Sequence, residues 1–168
     1  MTAPGGTHFD AAPLDRLTRV LTWTALSLVA FVTVTTLVLV PLVGLAVAAA
    51  VLLIFGTSWA FAPKGYALQP DGRLGIERRG GGIRWFDATR VAAGVRTDGA
   101  SSFGLRLWGS GGFLGYYGLF WRRDVGRFRA YLTARRPTVA VQTQQGLVIV
   151  SPADPDGFRA ALPDGGTS

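Results

Sequence analysis

Between Gly109 and Trp121 the chain sets five glycines, Gly109, Gly111, Gly112, Gly115 and Gly118, among the rings of Phe113, Tyr116, Tyr117, Phe120 and Trp121. Arg122 and Arg123 follow directly. Rings beside paired guanidinium groups suit the boundary between lipid headgroups and hydrocarbon, where aromatic side chains settle and arginines reach phosphate. Phe113, Tyr116, Tyr117, Phe120, Trp121, Arg122 and Arg123 are therefore the candidate membrane or partner contacts. The default alternative is structural: rings that cover an open edge of a β-fold, with glycines allowing the tight turns between them.

Other chemistry is poorly provided for. The chain has no cysteine, which removes disulfides, thiolate metal sites and cysteine nucleophiles. Its one histidine, His8, lies in an N-terminal tail and is expected to be solvated, leaving no imidazole for acid–base work or metal ligation in a folded domain. Gly109-Ser110-Gly111 begins like a dinucleotide loop, but the third glycine would have to stand at position 114, which is Leu114. Ser101, Ser102 and Ser110 have no histidine base and no nucleophile elbow. Asp87, Asp98 and Asp124 stand singly in turns or beside arginine, where turn capping and ion pairing are the ordinary roles. No catalytic residue, metal or cofactor is expected, and the chain reads as non-enzymatic.

What must position the glycine-aromatic segment is legible upstream. Residues Val20 to Pro63 carry no charge, and Arg19 and Lys64 close the run. Crossing roughly 30 Å of hydrocarbon takes about 20 helical residues, so the run is twice too long for one crossing and fits a helical hairpin. Pro41 and Gly44 bracket Leu42 and Val43 at the break, giving legs of 20–40 and 45–61 within a hairpin of 20–62. Arg16, Arg19 and Lys64 flank the legs while the turn has no positive residue. The positive-inside rule then puts both termini in the cytoplasm of a multi-pass protein of the cell membrane. Trp23, Trp59 and Phe61 fall at one depth in such a hairpin, at the headgroup boundary. The length of the apolar run and the apolar sequence after Ala46, Ala48, Ala49 and Ala50 do not fit a secretory signal peptide.

Residues 1–19, rich in proline, glycine and alanine, read as a disordered cytoplasmic tail, and 163–168 as a second one. Residues 63–162 are enough for one small domain. All but two of the 17 basic residues fall at or after Lys64, with 8 of the 10 acids, so the chain from Lys64 to Ser168 carries the whole net charge of +7. Such a surface tethered to an anionic leaflet is drawn toward it. The arginines are dispersed and no recognition helix accompanies them, so nucleic acid is not an expected partner.

The domain alternates like strands. Tyr66–Gln69 ends at Pro70-Asp71-Gly72, and Leu74–Arg78 returns through Gly80-Gly81-Gly82 into Ile83–Phe86. Val91, Ala93 and Val95 alternate up to Thr97-Asp98-Gly99. Beyond the glycine-rich stretch come Arg127–Thr133, Thr138–Thr143 and Leu147–Val150, the last two joined across Gln144-Gln145-Gly146. Asp154 then caps a short helix, with Pro155 at its first position, Asp156 in its first turn, Phe158, Ala161 and Leu162 along one stripe, and Pro163 as its stop. The expected fold is a two-helix transmembrane hairpin followed by an all-β barrel or sandwich of about seven antiparallel strands, closed by a C-terminal helix.

That order resembles the pleckstrin-homology (PH) fold and, with the hairpin in front, the membrane-anchored bacterial PH-domain proteins. The residues that carry the resemblance are Leu74-Gly75-Ile76-Glu77-Arg78-Arg79, the run Gly111 to Phe120, Gly126-Arg127-Phe128-Arg129-Ala130-Tyr131, and Val148-Ile149-Val150-Ser151-Pro152-Ala153-Asp154-Pro155. The resemblance implies a fold and a cytoplasmic-membrane address. It brings no activity, and the basic phosphoinositide motif of eukaryotic relatives has no position-by-position match here. The expected function is a PH-like interaction module presented at the cytoplasmic face, recognising a protein partner or anionic lipid headgroups. The alternative is an accessory subunit whose hairpin packs in a larger membrane complex through the small residues Gly44, Ala46, Ala48, Ala49, Ala50 and Gly56. Neither the ligand nor the oligomeric state is fixed by the sequence.

Overall fold

The computed structural model describes residues 6–91, 104–111 and 113–162. Strand β1 (Thr7–Asp10) precedes two long helices, α1 (Arg16–Leu39) and α2 (Pro41–Phe61). Eight strands follow: β2 (Pro63–Leu68), β3 (Arg73–Arg78), β4 (Ile83–Val91), β5 (Leu105–Gly111), β6 (Tyr116–Arg122), β7 (Gly126–Leu132), β8 (Val139–Thr143) and β9 (Gly146–Val150). Helix α3 (Pro155–Ala160) comes last.

Both long helices are long and apolar enough to cross a membrane, and only 6% of each apolar window is buried. A core helix of a water-soluble protein would be mostly covered. Their polar groups are satisfied within the helix: the hydroxyls of Thr33, Thr35, Thr36 and Thr57 donate to carbonyls four residues back at 2.7–2.9 Å. The break between the legs is sharper than the sequence reading has it. Val40 alone leaves the helical region, and Pro41 opens α2 at a position that needs no amide hydrogen. Gly44 lies inside α2 and is buried against α1, where a Cβ would run into the backbone of Leu37. Its lack of a side chain sets the distance between the two legs.

The strands form two sheets that share β4. The first runs β1-β2-β3-β4 and the second β4-β8-β9-β7-β6-β5. This corrects the expected barrel or sandwich in three respects. Nine strands are described rather than about seven, the sheets do not close into a barrel, and β7 pairs with β9 in parallel. Two of the additional strands, β5 and β6, occupy the glycine-rich stretch. The third, β1, lies in the expected disordered tail. The run Val91–Val95 and the turn at Thr97 fall outside the described residues beyond Val91 itself, as does the tail 163–168.

The principal core lies between the sheets. Tyr66, Leu74, Ile76 and Phe86 face Val139, Val141, Val148 and Val150, and Phe158 of α3 closes it, fully buried. Phe158 meets Phe9 and Tyr66 edge-to-face, with ring centroids 5.1 and 6.1 Å apart. Leu162 is buried with it, whereas Ala161 on the expected stripe is exposed. A second cluster, including Phe120, Phe128, Leu132 and Ile149, forms on the opposite face of the second sheet, so β6, β7 and β9 are apolar on both sides.

The N-terminal segment is stitched in through backbone and buried hydroxyls. β1 pairs antiparallel with β2, and Ala11 bridges Pro152. Ala12 N donates to Ser151 O at 2.8 Å, and the Thr133 hydroxyl donates to Ala12 O. Tyr66, fully buried beneath this junction, donates its phenol to Tyr131 O at 2.6 Å and accepts from Ser151 N at 3.2 Å. Burial, against the hydrogen bonds from Ser151, pushes that phenol up to about 12, so it remains a donor throughout the ordinary pH range. His8 corrects the expectation of an idle tail residue. Its ring nitrogens lie 3.2 Å from Glu77 Oε1 and 3.3 Å from Asp10 Oδ1, beside Gly65, where a Cβ would crowd the imidazole.

Candidate functional site

The glycine-aromatic segment fastens the β-domain to the foot of the hairpin. Successive residues of a strand face opposite ways, so Tyr116 and Tyr117 at the start of β6 reach different helices. Tyr117 donates its phenol to Ser58 O of α2 at 2.6 Å. The Tyr116 phenol accepts from the Thr18 hydroxyl of α1 at 3.4 Å and from Arg135 Nε at 2.8 Å. Just before the strand, Leu114 N donates to the Thr22 hydroxyl at 3.3 Å, and Phe113 meets Phe55 edge-to-face at 4.5 Å. Phe55 is six residues before the end of α2, so this tip climbs about 9 Å along the helix pair. From the first sheet, Arg79 N and Gly80 N donate to the carbonyls of Ala62 and Ala60, both at 3.0 Å, and the Arg78 guanidinium lies 5.1 Å from the Phe61 ring centroid.

Asp15 locks the same junction from the N-terminal side. One carboxylate oxygen accepts from Thr18 N at 2.6 Å, capping α1, and the other from Arg135 N at 3.2 Å. Partial burial pushes its pKa up, but the hydrogen bonds from Thr18 and Arg135 outweigh burial and hold it below the usual carboxylate value. A depressed folded-state value means that the charged group's contribution is complete above about pH 4 and is lost as pH falls through that value. The Thr18 and Arg135 amides are therefore expected to keep their protection from hydrogen exchange at neutral pH and to lose it as pH falls through the lowered folded-state value of the Asp15 carboxyl. Asp15→Ala should remove the pH dependence, and protection indifferent to pH in the unsubstituted chain would show that the ionised carboxylate is not the fastening.

The seven candidate contact residues do not form one exposed surface. Tyr116, Tyr117 and Phe120 are buried, the first two at the hairpin junction and the third in the second core cluster. Phe113 is half-buried against Phe55. Arg122 is paired with Asp124 at 2.5 Å and packs over the Phe128 ring. This hydrogen bond also draws the Asp124 carboxyl below its usual value. Trp121 and Arg123 remain exposed. Alternation along β6 divides the residues that a linear reading groups together.

What the sequence reading missed is a cavity of about 620 Å³ beneath the hairpin foot. Thr57, Ser58 and Phe61 of α2 form its roof. Arg78 and Arg84 line it from the first sheet, and Arg106 and Trp108 from β5. Tyr117, which holds Ser58, lies in its wall. The three arginines lie on three different strands, so no spacing in the chain marks them as a set. The alternation of β3 and β4 could have put Arg78 and Arg84 on their strands but not facing β5.

Residues 89–164 match the protein-family model described as Bacterial PH domain. The match takes in the last residues of β4, strands β5 to β9 and α3, and leaves the hairpin and β2–β3 outside it, so it begins later than the resemblance quoted from Leu74 onward. No curated protein and no solved structure matches the chain.

Proposed function

We propose that the chain is a non-enzymatic, membrane-anchored interaction module. In this reading α1 and α2 cross the membrane as a hairpin with both termini cytoplasmic, and the PH-like domain is held against the headgroup surface, where it recognises anionic lipid or a protein partner. The observation that carries the reading is the fastening of Tyr116, Tyr117 and Leu114 to Thr18, Ser58 and Thr22. A domain joined only by the Ala62 link would swing free of the membrane, whereas one bonded to both helices is held at a fixed depth. The rims it presents there are β5 and the end of β6, with Leu105, Trp108 and Trp121 exposed. Indole rings favour that boundary.

The accessory-subunit reading draws on the exposed small residues Ala46, Ala49, Ala50 and Gly56 of α2, which permit close approach of another helix. A photo-crosslinking residue placed at Leu105 or Trp121, and in separate chains at Ala49 or Leu53, separates the two in native membranes. Lipid or protein adducts from positions 105 and 121 support the module. Protein adducts confined to positions 49 and 53 would replace it with the accessory subunit.

A further inference from the structure

The cavity under the hairpin foot has the charge and the position of a ligand site. Its volume of about 620 Å³ lies in the range of small-molecule pockets. Three guanidinium groups, those of Arg78, Arg84 and Arg106, line it, and among the described residues no carboxylate does. Among the described residues none of the three is ion-paired. The neighbouring acids are already engaged, Glu77 by His8 and Asp87 by Arg73 and Gln145. Arg78 Nε is buried and has no hydrogen-bond partner. A buried charged donor left without an acceptor is costly, and an entering anion would relieve it.

From these observations we infer that the cavity binds the phosphate of an anionic glycerophospholipid, held by Arg78, Arg84 and Arg106. The inference rests on the module reading and names its ligand class and site. Three arginines lining one space offer the paired N–H donors that the non-bridging oxygens of a tetrahedral phosphate accept. The lipid source follows from the roof. Thr57 and Phe61 belong to the last turns of an apolar helix, so a headgroup in the cavity leaves its acyl chains lying along α2. The site differs from the Arg122-Arg123 pair singled out in the sequence, where Arg122 is already engaged by Asp124.

The test is calorimetric titration of the full chain in a neutral detergent with dihexanoyl-phosphatidic acid, dihexanoyl-phosphatidylcholine and inorganic phosphate. The anionic lipid should bind at least about tenfold more tightly than the zwitterionic one. Arg84→Gln with Arg106→Gln, both at exposed positions, should abolish that preference without lowering the melting temperature. Arg127→Gln with Arg159→Gln, an equal loss of charge elsewhere, should retain it. Phosphate weaker than the lipid identifies a headgroup site, and phosphate of equal affinity would overturn the lipid assignment. Equal binding of the two lipids, or a preference untouched at positions 84 and 106, would overturn the site altogether. Those outcomes leave the crosslinking result at positions 105 and 121 standing, so failure of the pocket is distinguishable from failure of the module.

Discussion

Phe158→Ala is expected to destabilise the domain by about 3 kcal/mol, in the range for a large-to-small change at a fully buried aromatic site. The side chain belongs to a helix of six residues, too short to persist without packing. Its ring is the contact between α3, strand β1 through Phe9, and the buried Tyr66 network. Truncation leaves a cavity where three elements meet, so little can collapse to fill it. The measurement is thermal unfolding of the full chain in detergent, followed by near-ultraviolet circular dichroism. An unchanged midpoint would mean that α3 does not close the core.

Gly118→Val is expected to be comparably damaging, at roughly 2–5 kcal/mol. Gly118 pairs with Gly109 across β6 and β5, and both hold positive φ, at 135° and 110°. A Cβ at either position meets backbone of the opposite strand, Trp108 O from Gly118 and Tyr117 O from Gly109. A β-branched residue there combines a disfavoured backbone conformation with a clash that no side-chain rotation relieves. Gly126→Ala is the contrast. Gly126 also has positive φ, but nothing lies within 4 Å of the added carbon. It should cost only about 1 kcal/mol. Similar losses from the two substitutions would show that strand crowding is not what the Gly109–Gly118 pair accommodates.

The same pair explains where sequence and structure part. The hairpin helices are legible because an uncharged run twice the length of a crossing admits few other forms, and Pro41 marks its turn. β8, β9 and α3 are legible because their signals are local: Gly146 at φ 106° in the tight turn, and Asp154 accepting from Gly157 N at 3.0 Å. β5 and β6 are obscured because glycine ordinarily breaks strands, and its value at 109 and 118 comes from a neighbour nine residues away. β1 is obscured for a related reason. Thr7–Asp10 has little apolar pattern, and its place is fixed by register with β2 and by the Ala11–Pro152 bridge, more than 140 residues apart. The candidate site divides in the same way. The glycine-aromatic residues were recognisable as a group, but β6 is covered on both faces, so alternation buries Tyr116 and Phe120 on one side and Tyr117 on the other. The arginine cavity is assembled only by the packing of three strands under α2.

The reading as a whole depends on the domain lying on the cytoplasmic side of a twice-crossing hairpin. Because the chain contains no cysteine, single cysteines can report this directly. Chains carrying Leu42→Cys, Asp71→Cys or Arg159→Cys, all at exposed positions, would be treated in intact cells with a membrane-impermeant maleimide. Labelling at position 42 alone, with positions 71 and 159 reacting only after the cells are opened, is the expected result. Labelling of position 71 or 159 from outside would contradict it and remove the domain from the cytoplasmic leaflet.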